Sequence, residues 1–187
     1  LDCYYTFATI DVISRNALEY NWGTQKNKYD VREFYLSWYP TFGEIRIGKQ
    51  IIPLGMADGN NPTDNVNPYN YNYLFLSGVE RKIGVSSLYS DIYWGDYQLK
   101  IILKLDNSKN IFPSEDEDSI FPNINIITSR QELEYGFSIK MMLSENDISF
   151  SYYRGKDYIP IIDNDNNFGY RKTHVLGLNT VGFMNQF

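Results

Sequence analysis

The sequence predicts an all-β fold, an antiparallel meander, from three features. Apolar and polar residues alternate along most of the chain. No stretch carries a helical period. Short turns of Gly, Pro, Asn and Asp alternate with long polar loops.

The strands follow in chain order. The stretch before Trp22 reads as a strand with blurred alternation. Asp30 to Tyr39 sets Phe34, Leu36 and Trp38 against Glu33, Tyr35 and Ser37, and Glu44 to Ile52 opposes Ile45, Ile47 and Ile51 to Glu44, Arg46, Gly48 and Gln50. A run from Val79 to Tyr93 leads to Tyr97 to Leu105, where Tyr97, Leu99, Ile101, Leu103 and Leu105 face away from Gln98, Lys100 and Lys104. Gln131 to Leu143 alternates most cleanly. Leu133, Tyr135, Phe137, Ile139, Met141 and Leu143 share one side, with Glu132, Glu134, Gly136, Ser138 and Lys140 on the other. Ile148 to Tyr153 and Lys172 to Val181 complete the set. Successive side chains of a strand point to opposite faces, so each ribbon has an oily side and a polar side. About seven or eight strands are expected.

The connections decide between architectures. Pro40-Thr41-Phe42-Gly43, Trp94-Gly95-Asp96 and Ser144-Glu145-Asn146-Asp147 are tight turns, and between them run Pro53 to Gly78, Asp106 to Arg130 and Lys156 to Arg171. Short and long connections that alternate in this way belong to a transmembrane β-barrel of outer-membrane type, with turns on one rim and loops on the other. Closure also satisfies the backbone, since an open edge in lipid leaves its polar groups unpaired. Trp38, Tyr39, Tyr93, Trp94 and Tyr97 cluster beside the short turns, where an interfacial girdle belongs. The fold expected is therefore an antiparallel meander forming part or all of a transmembrane outer-membrane β-barrel. Gly95 and Pro68 are expected at opposite ends of it.

Composition narrows the function. The chain has 187 residues, 43% of them hydrophobic, and a net charge of -6. Its length suits a single domain over 1–187, or a fragment of a larger barrel. Both ends, Leu1 to Phe7 and Gly182 to Phe187, read as cut edges. Nucleic acid is not expected as a partner, because the 17 Lys and Arg are scattered in an acidic chain. Cys3 and His174 are each single, so neither a disulfide framework nor a Cys/His metal site is expected. No cofactor is expected either. Glu132 and Glu134 lie two apart on a strand with no nucleophile beside them, which argues against an enzyme.

Two constellations remain. The charged side of the strands, with Glu44, Arg46, Gln50, Glu80, Lys82, Gln98, Lys100, Lys104, Glu132, Glu134 and Lys140, becomes the lumen of a barrel; Leu99, Ile101, Leu103, Leu133, Phe137, Ile139 and Met141 then face lipid. The first long loop is rich in turn formers and oxygen donors: Gly55, Asp58, Gly59, Pro62, Thr63, Asp64, Asn67 and Pro68. Its prolines stiffen the path. Such a loop is expected to fold back towards the lumen and constrict it.

The same segment carries a resemblance. Gly48-Lys49-Gln50, Gly55, Ala57-Asp58-Gly59, Pro62-Thr63-Asp64 and Asn67-Pro68 are similar to a run in the DUF1302-like, porin-related β-barrel proteins of the Gram-negative outer membrane, a group of largely unassigned function. Leu54 and Met56 depart from the Trp and the basic residue usual there. Arg32-Glu33-Phe34-Tyr35-Leu36, Glu134-Tyr135-Gly136-Phe137 and Tyr153-Arg154-Gly155-Lys156-Asp157-Tyr158-Ile159-Pro160 resemble other strands and a loop of the group. The resemblance implies an outer-membrane location and a longer protein.

The expected function is a porin-like channel for passive passage of small polar or amphipathic solutes. Outer-membrane lipid and lipopolysaccharide are its expected surroundings, with the acidic run Ser114 to Ser119 a candidate contact through divalent cations. The alternative is a secreted or surface β-domain that binds carbohydrate through the Tyr/Asn-rich stretch Asn67-Pro68-Tyr69-Asn70-Tyr71-Asn72-Tyr73.

Overall fold

A computed structural model describes residues 1–21, 25–54, 65–73, 75–76, 78–112, 133–144, 146–157, 161–162 and 168–182. The strands are β1 (Asp2–Phe7), β2 (Ile10–Asn21), β3 (Lys26–Trp38), β4 (Gly43–Gln50), β5 (Val85–Trp94), β6 (Tyr97–Lys104), β7 (Glu134–Met142), β8 (Asn146–Lys156), β9 (Ile161–Ile162), β10 (Phe168–Gly169) and β11 (Lys172–Gly182). Nine of them make one antiparallel sheet in the order β1-β2-β3-β4-β5-β6-β7-β8-β11. β9 and β10 form a small ladder of their own within the last long connection. Each strand of the large sheet lies beside its neighbours in sequence, and β1 and β11 are its edges. Among the described residues there is no α-helix, only 3-10 turns at Tyr71–Tyr73 and Gly78–Arg81.

The rims sort by connection length. Ala8-Thr9, Tyr39 to Phe42, Gly95-Asp96 and the turn after Met142 lie at one end, and the long connections at the other. Gly43 pairs with Ile92 while Gln50 pairs with Val85. Gly95 therefore sits on the turn rim. Pro68, whose carbonyl accepts the Ile83 N–H at 2.8 Å, sits on the loop rim. This is the opposition of ends that the alternation predicts.

Two departures from expectation have local causes. The segment before Trp22 holds a hairpin, β1 and β2, which brings the count to nine strands. Its pattern is blurred because polar Ser14 and Asn16 stand on its outward face and buried Ile13 on its inward one; separately, the β2–β3 register shifts between Arg15 and Asn16. Arg15 pairs with Glu33 and Asn16 with Val31, leaving Arg32 as an extra residue. Outward positions are therefore even-numbered at Phe34, Leu36 and Trp38 but odd-numbered at Tyr29. Secondly, the strand expected from Val79 begins only at Val85. The Arg32 guanidinium donates to the carbonyls of Val79 (3.5 Å), Glu80 and Lys82 (3.3 Å), holding that stretch as a turn. Alternation in Val79 to Ile83 thus imitates a strand that tertiary bonding prevents.

The two faces of the sheet are opposite in character. Outward are Phe34, Leu36, Trp38, Ile47, Leu88, Ile101, Ile139, Ile148, Phe150, Leu176 and Leu178, all exposed. Inward and buried are Glu33, Ser37, Gln50, Ser87, Asp91, Lys104, Glu134, Ser138, Asp147, Ser149 and Ser151. Ile101 and Ile139 are 39% and 44% exposed, whereas Lys104 and Glu134 are each 2% exposed. That is the reverse of a water-soluble sheet, whose oily side is the covered one.

Candidate functional site

The inner face brings most of the expected polar residues together, because the antiparallel register aligns them across strands. On β4, Arg46 donates to both carboxylate oxygens of Glu44, at 2.7 and 2.6 Å, and the Ser37 hydroxyl donates to the same carboxylate at 2.5 Å. The guanidinium lies between the rings of Tyr35 and Tyr89, 5.5 and 5.1 Å from their centroids. Gly48 makes room for this arrangement. It lies opposite Tyr35 with φ +135°, and a Cβ there would come within 2.4 Å of the Phe34 carbonyl oxygen. Gln98 donates to Asp91 at 2.9 Å, and Tyr89 and Tyr93 donate to the same carboxylate at 3.1 and 3.2 Å. Lys100 lies in register with Asp91 and Ser138.

Further along the sheet, Lys104 approaches Glu134 at 3.5 Å, and the Tyr153 hydroxyl donates to Glu134 at 2.7 Å. Lys140 pairs with Asp147 at 2.5 Å, and Arg15 with Glu33 at 2.6 Å. The inner face is therefore a lattice of matched charges rather than a field of one sign. Truncating one member of the buried Lys104–Glu134 pair would strand the other, which costs far more than the pair itself contributes.

Tyr153 owes its place to glycine. A Cβ on Gly136 would fall 2.9 Å from the Tyr153 ring, and one on Gly155 would fall 2.5 Å from that ring and 2.6 Å from Glu134. The two glycines form a dent in the inner wall that the ring fills.

The two described limbs of the first long loop pack on the inner face. Ile52 and Leu54 on its outgoing limb and Val66 on its return limb join Val85, Tyr89, Ile102 and Tyr153 of the inner face in one buried cluster. Asn67 ties the limbs together. Its side-chain oxygen accepts the Ile52 N–H at 2.8 Å, and its amide donates to the carbonyls of Gln50 (3.2 Å) and Ile83 (2.9 Å). Pro68 is buried beside it. The sequence marks Asn67 only as a turn former; a clamp on three distant backbone groups leaves no local signature. Gln50 is fully buried, and its amide donates to the Ser87 carbonyl at 3.2 Å.

The start of the second long loop locks onto the first. Asn110 accepts the Tyr69 N–H at 2.7 Å, the Tyr71 N–H donates to the Ile111 carbonyl at 2.8 Å, the Ile111 N–H donates to the Tyr69 carbonyl at 3.0 Å, and Tyr71 stacks on Phe112 with centroids 4.9 Å apart. The Tyr/Asn stretch thus spends this ring on the protein's own packing. Tyr73 donates to the Glu19 carboxylate of β2. Burial, with that carboxylate alongside, raises the Tyr73 phenol above its ordinary value, so it stays a donor well into the alkaline range. Beside it a cleft of about 190 Å³ is lined by Lys28, Asp30, Arg32, Lys49 and Lys82. Lys49 of β4 pairs with Asp30 of β3 at 3.7 Å, tying strand to strand, and Arg32 is engaged by the carbonyls already named, tying the turn to β3.

Not every expected site residue reaches the inner face. Glu80 is exposed in the 3-10 turn and belongs to no strand, because Arg32 holds that stretch off the sheet. Lys82 is buried, but in an isolated bridge with Tyr69 rather than on a strand. Gly55, Asp58, Gly59, Pro62, Thr63 and Asp64, together with Glu132 and the run Ser114 to Ser119, lie outside the described residues. Among the described residues no group of three or more His, Cys, Asp or Glu side chains is placed to hold a metal. No protein-family model, no curated protein and no solved structure matches this chain.

Proposed function

We propose that this sheet is wall from a porin-like β-barrel of the Gram-negative outer membrane, and that it serves passive passage of small polar or amphipathic solutes. One observation carries the reading: exposed apolar side chains cover the outer face while paired charges and hydroxyls are buried on the inner one. Lipid is the solvent for which such a sheet is suited. The outer band supports it further. Trp94 stacks on Tyr97 at the turn rim, and Tyr135 and Tyr152 pack together nearer the loop rim. From Tyr97 to Leu103, which pairs with Tyr135, the band runs roughly 20 Å along the strand at about 3.4 Å per residue. Aromatic belts at both edges of an apolar band fit the two interfaces of a bilayer.

In this reading the inner face lines the route, and its matched charges favour neither cations nor anions. The buried limbs of the first loop narrow the route. Lipid and lipopolysaccharide contact the outer face, and the porin-related resemblance of the Gly48 to Pro68 segment points the same way.

Reconstitution tests the reading. Purified in detergent and added to planar bilayers, the protein is expected to open stepwise conductances with weak ion selectivity. A protein that stays monomeric in detergent-free buffer and leaves bilayers silent would overturn it.

A further inference from the structure

The inner face matches its charges from strand to strand, but the cleft beside Tyr73 does not. The β3–β4 pairing stops at Phe34 and Lys49, whereas β3 continues beside β2 as far as Lys26. Towards the loop rim one edge of β3 therefore lacks β4, and the stretch Lys82 to Gly84 comes in alongside it. A Cβ on Gly84 would fall 2.3 Å from the Arg32 carbonyl oxygen, so glycine is what lets the two backbones approach here.

Lys28, Arg32, Lys49 and Lys82 line this cleft, and among its described lining residues Asp30 is the one carboxylate. Glu19 accepts the Tyr73 hydroxyl at its edge; with Glu19 counted, four cations still face two carboxylates. That excess runs against the whole chain, in which 17 Lys and Arg stand against 23 Asp and Glu. The one lining carboxylate is engaged by Lys49 at 3.7 Å. Arg32 donates to carbonyls, which accept its hydrogen bonds without cancelling its charge. Cations gathered this way repel one another, and an anion among them removes that cost.

From this we infer that the cleft binds the phosphate group of a small soluble solute. A phosphate monoester carries about −1.5 to −2 charges at neutral pH and three strong acceptor oxygens, which suits this excess of cations better than a single carboxylate does. The cleft, at about 190 Å³, lies below the roughly 300–1,000 Å³ of sites for drug-sized ligands, so what it holds has few heavy atoms. Lys28 and Asp30 alternate with outward Tyr29 and so belong to the inner face, which favours a solute over a lipid headgroup. As a stopping place on a solute route the cleft rests on the membrane-barrel reading proposed above; its charge excess does not.

The experiment titrates the full protein in detergent with inorganic phosphate, by calorimetry at fixed ionic strength, and records bilayer conductance separately. One saturable site is expected. Lys28→Gln should weaken it about tenfold, and Lys28 is exposed, so the change spares the packing. Asp30→Asn should tighten it several-fold by removing the competing carboxylate, whereas loss of a merely structural ion pair would not. No saturable heat beyond that of equal chloride would overturn the inference. So would a Lys28→Gln variant that binds phosphate unchanged, or a folded Asp30→Asn variant that binds it no more tightly. Binding of lipopolysaccharide without binding of inorganic phosphate would overturn it as well, by assigning the cations to a lipid headgroup. Phosphate binding in a protein that leaves bilayers silent keeps the site and removes the pore; conductance without phosphate binding does the reverse.

Discussion

Asn67 shows how much of the interior hangs on one amide. It holds the outgoing limb at Gln50 and Ile52 and the approach to β5 at Ile83. Asn67→Ala leaves a buried N–H and a buried carbonyl short of a partner, each costing about 1–3 kcal/mol, and a half-buried carbonyl at Ile83 costing less. The expected result is a protein that folds but conducts more, with weaker solute discrimination, in single-channel recordings. Unchanged conductance would leave the loop a wall feature with no role in gating. A second residue-scale expectation concerns the glycine dent under Tyr153. Gly136→Ala and Gly155→Ala should each destabilise by about 1–3 kcal/mol through overpacking. Tyr153→Phe loses one bond to a buried carboxylate, roughly 1.5–3 kcal/mol. Denaturant titrations in lipid vesicles would separate the three. Ala8 offers the opposite case. It sits in the β1–β2 turn at φ 55°, a conformation that costs an L-residue about 1–2 kcal/mol, so Ala8→Gly should stabilise the hairpin by up to about 1 kcal/mol despite the entropy added to the unfolded chain.

Among the elements, β7 alternates most cleanly in the sequence, and its Tyr135, Phe137 and Ile139 lie opposite buried Glu134 and Ser138, whereas Tyr89 of β5 and Ile102 of β6 are apolar residues on the polar face. β3 is less legible because the extra residue Arg32 flips its parity halfway along; Tyr29 and Phe34 face the same way although their numbers differ by an odd count. The stretch before Val85 deceives for another reason. Glu80 and Lys82 alternate with Val79 and Ile83 as a strand would, while the cation that holds them as a turn lies 47 to 50 residues earlier in sequence. Pairings across such distances leave no periodic trace. The face assignment gives the test suited to this scale. Ile101→Lys and Ile139→Lys on the outer face should each cost about 2–4 kcal/mol in lipid near the midplane. Asn179→Lys on the inner face, beside Ser149, should cost much less. Equal penalties on both faces in vesicle titrations would mark a soluble sandwich core.

For the molecule as a whole, the sorting of rims and the inward turn of the first loop could be read from the connections, whereas the residues that seat that loop, Ile52, Leu54 and Val66, could not, since they sit in no regular element. The inversion of the two faces also has a calorimetric consequence. Ordinary domains unfold with a heat-capacity increment of about 12–15 cal/mol/K per residue, because an oily interior meets water for the first time. Here the largest oily surface, from Phe34 and Trp38 round to Leu176 and Leu178, is already outside. In a micelle it stays against detergent when the strands come apart, and what water newly reaches is chiefly serine, carboxylate and ammonium, groups whose hydration lowers heat capacity. Scanning calorimetry in detergent should therefore show an increment well below that ordinary range, and a thermal stability curve much flatter than that of a soluble protein of equal length.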